Sequence, residues 1–166
     1  MEARSHIPPR TRQAGFTLIE ILIAFAILGL IASLAVPAYT RYVERARVAQ
    51  AIADLRQIEM GVERFHTQNG RLPDSLAEFG QDDVVDPWGK PYRYLEIESS
   101  VVRGRVRGPV MAKVRKDRNL VPINLDFDLY SPGADGKTKP PLVNPDSADD
   151  VIRAGSGSFV GVAREY

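Results

Sequence analysis

Glu20 is a single carboxylate inside an apolar run of about 21 residues, from Phe16 to Val36. An ionised Asp, Lys or Arg near the centre of a membrane helix costs about 2.5–3.5 kcal/mol even on lenient insertion scales, so such a group normally has a partner. Cleavage between Gly15 and Phe16 would create an α-ammonium about one helical turn before Glu20. The spacing therefore predicts that Glu20 compensates the amine of a processed chain, on its own copy or on a neighbour.

Three more carboxylates, Asp135, Asp149 and Asp150, lie in a proline- and glycine-rich passage from Leu129 to Gly157. Carboxylates and carbonyls are the ligands that Ca²⁺ prefers, in flexible geometry with six to eight oxygens. The spacing is not that of an EF-hand, because the acidic positions that should precede Asp135 are missing. By spacing alone, these aspartates fit solvent-facing turns better than a metal site.

The apolar run is long enough to cross a membrane as a helix. Its residues would span roughly 31 Å, which matches the hydrocarbon core of a bilayer. A removable secretory signal has a shorter apolar core of about 7–15 residues. The small residues Ala35 and Ala38 could form a weak cleavage site, but the amphipathic pattern continues through Pro37. The run therefore favours a membrane anchor over a removable signal peptide.

Beyond the anchor, an apolar stripe at spacings of three and four residues predicts that the helix continues to about Gln68. The stripe consists of Val48, Ile52, Leu55, Ile58, Val62 and Phe65. Charged residues are assigned to the remaining surface, namely Arg45, Asp54, Arg56, Glu59, Glu63 and Arg64. Asn69-Gly70 suits a left-handed C-cap, and Pro73 prevents continuation. The stripe is predicted to pack on a globular head rather than to form a free coiled coil.

Residues 70–166 predict a small head of α+β class, packed against the long helix. Three strand-like runs are Tyr92–Glu98, Asn124–Tyr130 and Ser158–Ala163. The first two alternate apolar and polar residues, which indicates a half-buried antiparallel sheet whose buried face covers the helix stripe. Trp88, in a turn before the first run, is assigned to the core or to a packing lid.

Composition argues against catalysis and against nucleic-acid binding. The chain has 166 residues, no cysteine, a net charge of +1 and 8% aromatic residues. Neither His6 nor His66 has the neighbours of a catalytic triad or a zinc site. The basic segment Val101–Arg118 has seven Lys or Arg residues and one Asp. Its alternation of Arg with Val and Gly favours an exposed hairpin with solvated charges over a patch that binds nucleic acid or phospholipid.

The hexapeptide Gly15–Glu20, GFTLIE, after a short basic leader resembles the prepilin-peptidase site of type IV pilins and type II secretion pseudopilins. The resemblance implies cleavage after Gly15, N-methylation of Phe16, and contact of Glu20 with Phe16 of an adjacent subunit. It also makes Pro37 a candidate hinge, because this part of the family's helix can unwind on assembly. The implied segments are a cleaved leader (1–15), a transmembrane half-helix (16–36), a periplasmic half-helix (37–69) and the head (70–166).

The head resembles that of the G-type major pseudopilins. The motifs NGRLP and DPWG are shared, and YSPGADG followed by acidic residues is similar to the family's calcium loop. The resemblance implies calcium ligands at Asp135, at the main-chain carbonyl of Pro132, and at Asp149 or Asp150. The loop departs from the family by being several residues longer and by reading ADDVI. The lack of cysteine excludes the C-terminal disulfide found in many type IV pilins.

The resemblance as a whole implies a major pseudopilin, which is a structural subunit and not an enzyme. Such a subunit crosses the inner membrane once, with a cytoplasmic N-terminus before processing and a periplasmic head. After processing it joins a periplasmic pseudopilus that drives type II secretion. The implied partners are further copies in a helical homopolymer, minor pseudopilins, the prepilin peptidase and the inner-membrane assembly platform; no nucleic acid is expected. The alternatives are a type IV pilin or minor pilin for adhesion, motility or DNA uptake, and a monomeric membrane-anchored binding module.

Overall fold

A computed structural model describes residues 15–102 and 105–166. The chain divides into two units, the first ending at Tyr42 and the second being Val43–Tyr166. Apart from Gly15, the predicted leader lies outside the described residues. The long helix α1, Leu18–Asn69, contributes residues to both units.

The bounds of α1 agree with the predicted helix to within about two residues. Its C-terminus is closed by Gly70, which has φ +70° and whose amide donates to the carbonyl of His66 at 2.8 Å. The side chain of Asn69 donates to the carbonyl of Phe65 at 2.9 Å. A glycine in the left-handed conformation directly after the last helical residue allows its amide to donate to a carbonyl that has no partner within the helix.

In the first unit, α1 is long and apolar enough to cross a membrane. Its large apolar side chains are exposed on all sides of the helix, as Phe25 and Leu34 illustrate with exposed fractions of 67% and 70%. A helix that is apolar all round is stable where its surroundings are also apolar. The burial pattern therefore agrees with a membrane anchor.

The second unit contains a four-stranded antiparallel sheet with the order β1-β4-β5-β6. A separate hairpin pairs β2 with β3. Short 3₁₀ segments connect the strands. The strands are β1 (Arg93–Glu96), β2 (Val101–Val102), β3 (Arg105–Val106), β4 (Phe127–Ser131), β5 (Val151–Ala154) and β6 (Phe159–Val162).

One face of the sheet covers the apolar stripe of α1, as the sequence predicts. Phe127 and Leu129 of β4 and Val151 of β5 belong to the same buried cluster as the helix residues. Full burial of each such side chain contributes roughly 1.5–3 kcal/mol. The helix residues of this cluster with the lowest exposure are Ala51, Leu55, Ile58 and Val62. The α+β class is therefore confirmed.

The opposite face of the sheet is also buried over β5, so the prediction of a half-buried sheet is wrong for that part, although Arg93 of β1 is exposed. Ile152 and Ala154 of β5 pack there with Ile123, Leu142 and Ala163. The residues between β4 and β5, 132–150, which we name the C-terminal loop, supply part of this second layer. Because both faces are covered, all four residues of β5 are buried and show no alternation. The period-2 pattern that identifies a half-buried strand is therefore absent from β5.

Glu59 is only 8% exposed, so its predicted place on the solvent-facing surface is also wrong. Its Oε1 accepts a 2.5 Å hydrogen bond from Nε of Arg153 on β5. The same guanidinium donates to Asp126 at 2.6 Å and lies 4.0 Å above the ring of Phe127. Burial alone would raise the pKa of Asp126, but the guanidinium outweighs it and holds that pKa below its ordinary value. The three charges form a buried network between α1 and the sheet.

We expect Glu59→Gln to lower the free energy of unfolding by about 1–3 kcal/mol, because it removes one charge of the network and leaves Asp126 as the remaining charged partner of Arg153. Glu63→Gln, one turn further along α1 at an exposed position, is the control and should change it by no more than about 0.5 kcal/mol. Urea unfolding of the full chain in detergent, followed by the fluorescence of the single tryptophan, measures both. Equal effects of the two substitutions would contradict the role of the network.

Candidate functional site

The predicted processing segment lies at the start of α1, where Thr17 and Glu20 form a reciprocal cap. Glu20 Oε2 accepts hydrogen bonds from the Thr17 amide at 2.8 Å and from Thr17 Oγ1 at 2.7 Å. Thr17 Oγ1 in turn accepts from the Glu20 amide at 3.3 Å. This is a capping box, which the T-x-x-E spacing indicates and which sequence reasoning missed by treating Glu20 only as a counter-charge.

The cap places the Glu20 carboxylate close to the position of a new N-terminus. Cleavage after Gly15 would put the terminal amine on Phe16, one residue before the Thr17 amide that Glu20 already binds. Consecutive residues of an extended chain are at most about 3.6 Å apart. Oε2 of Glu20 accepts both hydrogen bonds from Thr17, so Oε1 can approach an ammonium without breaking the cap. Phe16 is 86% exposed and accessible to a neighbouring molecule.

Pro37, the candidate hinge, lies inside α1 without interrupting it. Its carbonyl accepts from Thr40 Oγ1 and from Arg41 Nε, both at 3.1 Å. A proline removes one main-chain donor from the helix and crowds the preceding turn. The helix is therefore continuous at Pro37 but has one helical hydrogen bond fewer there.

The start of the C-terminal loop is fixed by the buried carboxylate of Asp86. Asp86 Oδ1 accepts from the amides of Trp88 and Lys90 at 3.0 and 2.8 Å, which closes the DPWGK turn. Its Oδ2 accepts a 2.5 Å hydrogen bond from Ser131 Oγ, and that hydroxyl accepts from the amide of Gly133 at 3.0 Å. The DPWG motif thus holds the point where β4 enters the loop. Trp88 itself is half-buried, and its indole donates to Glu44 of α1 at 3.1 Å.

The loop brings two of the predicted calcium ligands, Asp135 and Asp149, into contact. Asp149 Oδ2 accepts from the amide of Asp135 at 3.1 Å, and Asp135 Oδ1 accepts from the amide of Lys137 at 2.7 Å. Gly133 has φ +65°, and a Cβ there would collide with the carbonyl and carboxylate of Asp149. The turn after the buried Pro132 therefore needs glycine, both for its conformation and for this close approach.

Asp150, the third predicted ligand, is held by a different partner. It is fully buried, and its Oδ2 accepts from Arg115 at 2.5 Å and from Thr138 Oγ1 at 2.6 Å. Burial raises the pKa of the Asp150 carboxyl above its ordinary value, although Thr138 and Arg115 act in the opposite direction. Its Oδ1 is buried without a hydrogen-bond partner among the described residues. Those residues contain no group of three or more His, Cys, Asp or Glu side chains arranged to hold a metal ion.

The basic segment Val101–Arg118 matches its prediction only in part. It does form a hairpin, β2–β3, but Val114 and Arg115 are buried, so not all its charges are solvated. Arg115 is 2% exposed because Asp150 and Tyr130 enclose it, with its guanidinium 4.4 Å from the Tyr130 ring centre. Nothing near Arg115 in the sequence indicates this burial, since its main charged partner is 35 residues away.

Sequence comparisons agree with the described geometry. Residues 10–36 match a family model described as the prokaryotic N-terminal methylation motif. The type II secretion system core protein G of Pseudomonas aeruginosa is 30% identical over 77% of this chain and 88% of that protein. The protein of the same name from Aeromonas hydrophila is 31% identical over 52% of this chain and 75% of its own length.

Type IV pilins are also similar to the chain, some over most of its length: the type IV major pilin protein PilE of Neisseria gonorrhoeae is 30% identical over 78% of this chain and 73% of its own length. A fimbrial protein of Neisseria meningitidis is 36% identical over 55% of this chain and 54% of its own length. No solved structure matches the chain significantly. The methylation motif, the long helix with its small antiparallel sheet, and the similarity along most of core protein G together show that this chain belongs to the pilin-like family that includes the type II secretion pseudopilins.

Proposed function

We propose that this chain is the structural subunit of a periplasmic pseudopilus that drives protein export by type II secretion. One observation carries the proposal: the match to core protein G covers 88% of that protein, whereas the matches to the type IV major pilin PilE and to the fimbrial protein cover 73% and 54% of theirs. The helix is common to the whole family, so the head is the part that separates its branches.

Processing would supply the driving force for assembly. Cleavage after Gly15 by the prepilin peptidase leaves an ammonium on Phe16, and N-methylation keeps its positive charge. In the membrane, the ammonium and Glu20 each lose hydration, and a charge in an apolar environment is stabilised mainly by an opposite one. When Glu20 of one copy meets Phe16 of the next, both charges are compensated. Each added subunit therefore pairs a Phe16 ammonium with a Glu20 carboxylate. In an isolated subunit these two charges are less well compensated.

The exposed apolar side chains of the span favour the same outcome. Once a subunit leaves the membrane, side chains such as Phe25 and Leu34 need an apolar environment other than lipid. The helices of neighbouring copies supply it when they pack together as the core of a filament. Head-to-tail contacts of identical subunits generate an open helical assembly when the rotation between successive copies does not close a ring.

The same proposal gives the subunit a location in the cell and names the proteins that it contacts during assembly. Before assembly, the helix spans the inner membrane once, with residues 1–15 cytoplasmic and the head periplasmic. An inner-membrane assembly platform extracts the processed subunits, and minor pseudopilins join the same filament. Pro37 is the helix position with a missing hydrogen bond, which makes it the point where α1 would extend during extraction.

We also propose that calcium binds the C-terminal loop at Asp135, Asp149 and the main-chain carbonyl of Pro132. The contact between Asp135 and Asp149 and the close approach at Gly133 support these oxygens as one end of a cation site. Calcium would bind both carboxylates and hold the loop in one shape for contacts with neighbouring heads.

We expect Glu20→Ala to abolish filament formation while the head stays folded, because the substitution removes the counter-charge of the Phe16 amine. Thr17→Ala is the matched control: it removes the threonine hydroxyl from the cap but keeps the Glu20 carboxylate, so filaments should persist. Pelleting of sheared filaments measures assembly, and the unfolding midpoint from tryptophan fluorescence checks the head. Loss of filaments in Thr17→Ala as well would indicate that the cap, and not the charge, is required.

We expect calcium at about a hundredfold excess over Kd to stabilise the full chain in detergent by about 2.7 kcal/mol, a rise of roughly 8–15 °C in Tm. Asp135→Ala and Asp149→Ala should each remove most of that rise, because each supplies a carboxylate ligand. Asp82→Ala, at an exposed position outside the loop, should leave it unchanged. A wild-type chain with the same Tm in calcium and in chelator would refute the calcium site.

A further inference from the structure

Arg115 enters the C-terminal loop from the basic segment and binds it at several points. Its NH2 donates to Asp150 Oδ2 at 2.5 Å, and its NH1 donates to Thr138 Oγ1 at 2.6 Å and to the carbonyl of Lys139 at 2.8 Å. Its own amide donates to Asp128 Oδ2 on β4 at 2.6 Å. One residue thus connects strand β4 with both halves of the loop.

The surroundings of this guanidinium are those of a fixed structural charge. Both members of the ion pair are almost fully buried, with side-chain exposures of 2% for Arg115 and 0% for Asp150. The guanidinium also lies over the ring of Tyr130, which adds a cation–π contact. A planar guanidinium donates several hydrogen bonds in fixed directions, so it can hold a carboxylate, a hydroxyl and a carbonyl at once.

Asp149 and Asp150 are adjacent in sequence but belong to two different charge centres. Asp149 contacts the Asp135 turn, where no Lys or Arg side chain pairs with either carboxylate among the described residues. Asp150 contacts Arg115 and Thr138. One end of the loop therefore has a buried ion pair, whereas at the other end neither carboxylate forms an ion pair among the described residues, and the nearby ammonium of Lys90 lies beside Gly136.

We propose that Arg115 is the resident cation of the C-terminal loop and takes the place of a metal at Asp150. The loop then has two cation positions, one filled by the guanidinium at Asp150 and one left for calcium at Asp135 and Asp149. Asp150 is thus a structural partner of Arg115 and not a calcium ligand. This division rests on the calcium site proposed above. It also gives the basic segment a function: its second half delivers the arginine.

Two buried atoms without hydrogen-bond partners are consistent with assigning Asp150 to Arg115 and not to calcium. Asp150 Oδ1 and Arg115 Nε are both buried without a partner among the described residues. They belong to the two side chains of the same ion pair, one an acceptor and the other a donor. A calcium ion at Oδ1 would leave the Nε–H donor without an acceptor and would place two cations on one carboxylate.

The test is to measure Tm and calcium affinity for Arg115→Met, Asp150→Asn and the double variant, each as the full chain in detergent. In chelator, we expect each single substitution to lower Tm by at least about 5 °C. The double variant should lose clearly less than the sum, because the two side chains act as one unit. Calcium Kd, measured by calorimetry, should change less than threefold in Asp150→Asn and more than tenfold in Asp135→Ala and Asp149→Ala.

Arg153→Met is the matched control, because Arg153 is the other buried arginine of the described head and lies 4.0 Å from an aromatic ring, but pairs with Glu59 and Asp126. Hydrogen exchange in chelator separates the two arginines. Arg115→Met should speed exchange of amides in residues 134–150 at least tenfold more than exchange in α1, whereas Arg153→Met should show no such preference. If Arg115→Met is too unstable to study, Arg115→Lys keeps the charge and should retain part of the protection.

Two results would overturn the proposal. The first is an Asp150→Asn chain with unchanged Tm in chelator and calcium affinity reduced more than tenfold, which would make Asp150 a metal ligand. The second is additive effects of Arg115→Met and Asp150→Asn in chelator. Failure of the calcium site is distinguishable from both: the wild type would then show no response to calcium, while coupling of Arg115 and Asp150 in chelator would still support the resident guanidinium.

Discussion

An ionised group in an apolar environment is costly unless an opposite charge or several hydrogen bonds stabilise it. Three carboxylates of this chain are paired with an opposite charge or are proposed to be: Glu20 lies in the apolar span, Glu59 lies between α1 and the sheet, and Asp150 lies at the end of the C-terminal loop. Each therefore determines which group must come close to it. The architecture of the head and the proposed assembly of the filament both follow from how the three are paired.

Two of the three are paired within the head. Arg153 joins Glu59 and Asp126, and thereby fixes α1 against β5. Arg115 binds Asp150 and Thr138, and thereby fixes the loop against β4. The head thus has an arginine partner for each of these two carboxylates, whereas its other buried carboxylates, Asp86 and Asp128, accept hydrogen bonds from amide and hydroxyl groups. Glu20 differs, because its cap with Thr17 supplies hydrogen bonds but no positive charge, and in the proposed function its opposite charge is the amine that processing would create at Phe16.

The sequence was sufficient to predict the parts that depend on local patterns. The C-terminal bound of the helix, the α+β class and the packing of the sheet on the helix stripe follow from periodicity and from the C-cap at Asn69-Gly70. Strand β5 could not be found in this way, because burial on both faces removes the alternation that identifies a strand. The pairs Glu59–Arg153 and Arg115–Asp150 could not be found either, since their members are 94 and 35 residues apart and each residue alone resembles a surface charge.

The two candidate sites differ in the same respect: one is local in sequence, and the other depends on the tertiary fold. The Gly15–Glu20 motif is local, so its residues could be named from the sequence, although the T-x-x-E cap within it was overlooked. The loop aspartates could be named only through the resemblance to a family, and their different partners became visible only when β4, the basic segment and the loop were seen together. Charge pairs between distant segments depend on the tertiary fold, and one sequence alone does not show which of its charges will meet.

The most direct measurement of the central claim is a comparison of secretion and surface filaments in cells with and without this gene. Exported protein in the medium and filaments sheared from the surface are quantified in the same cultures, and restored expression of the chain serves as the control. If the chain is a pseudopilus subunit, we expect export to be lost on deletion and to return on restored expression, while surface filaments do not change. Intact export together with loss of surface filaments would contradict the account and identify a type IV pilin.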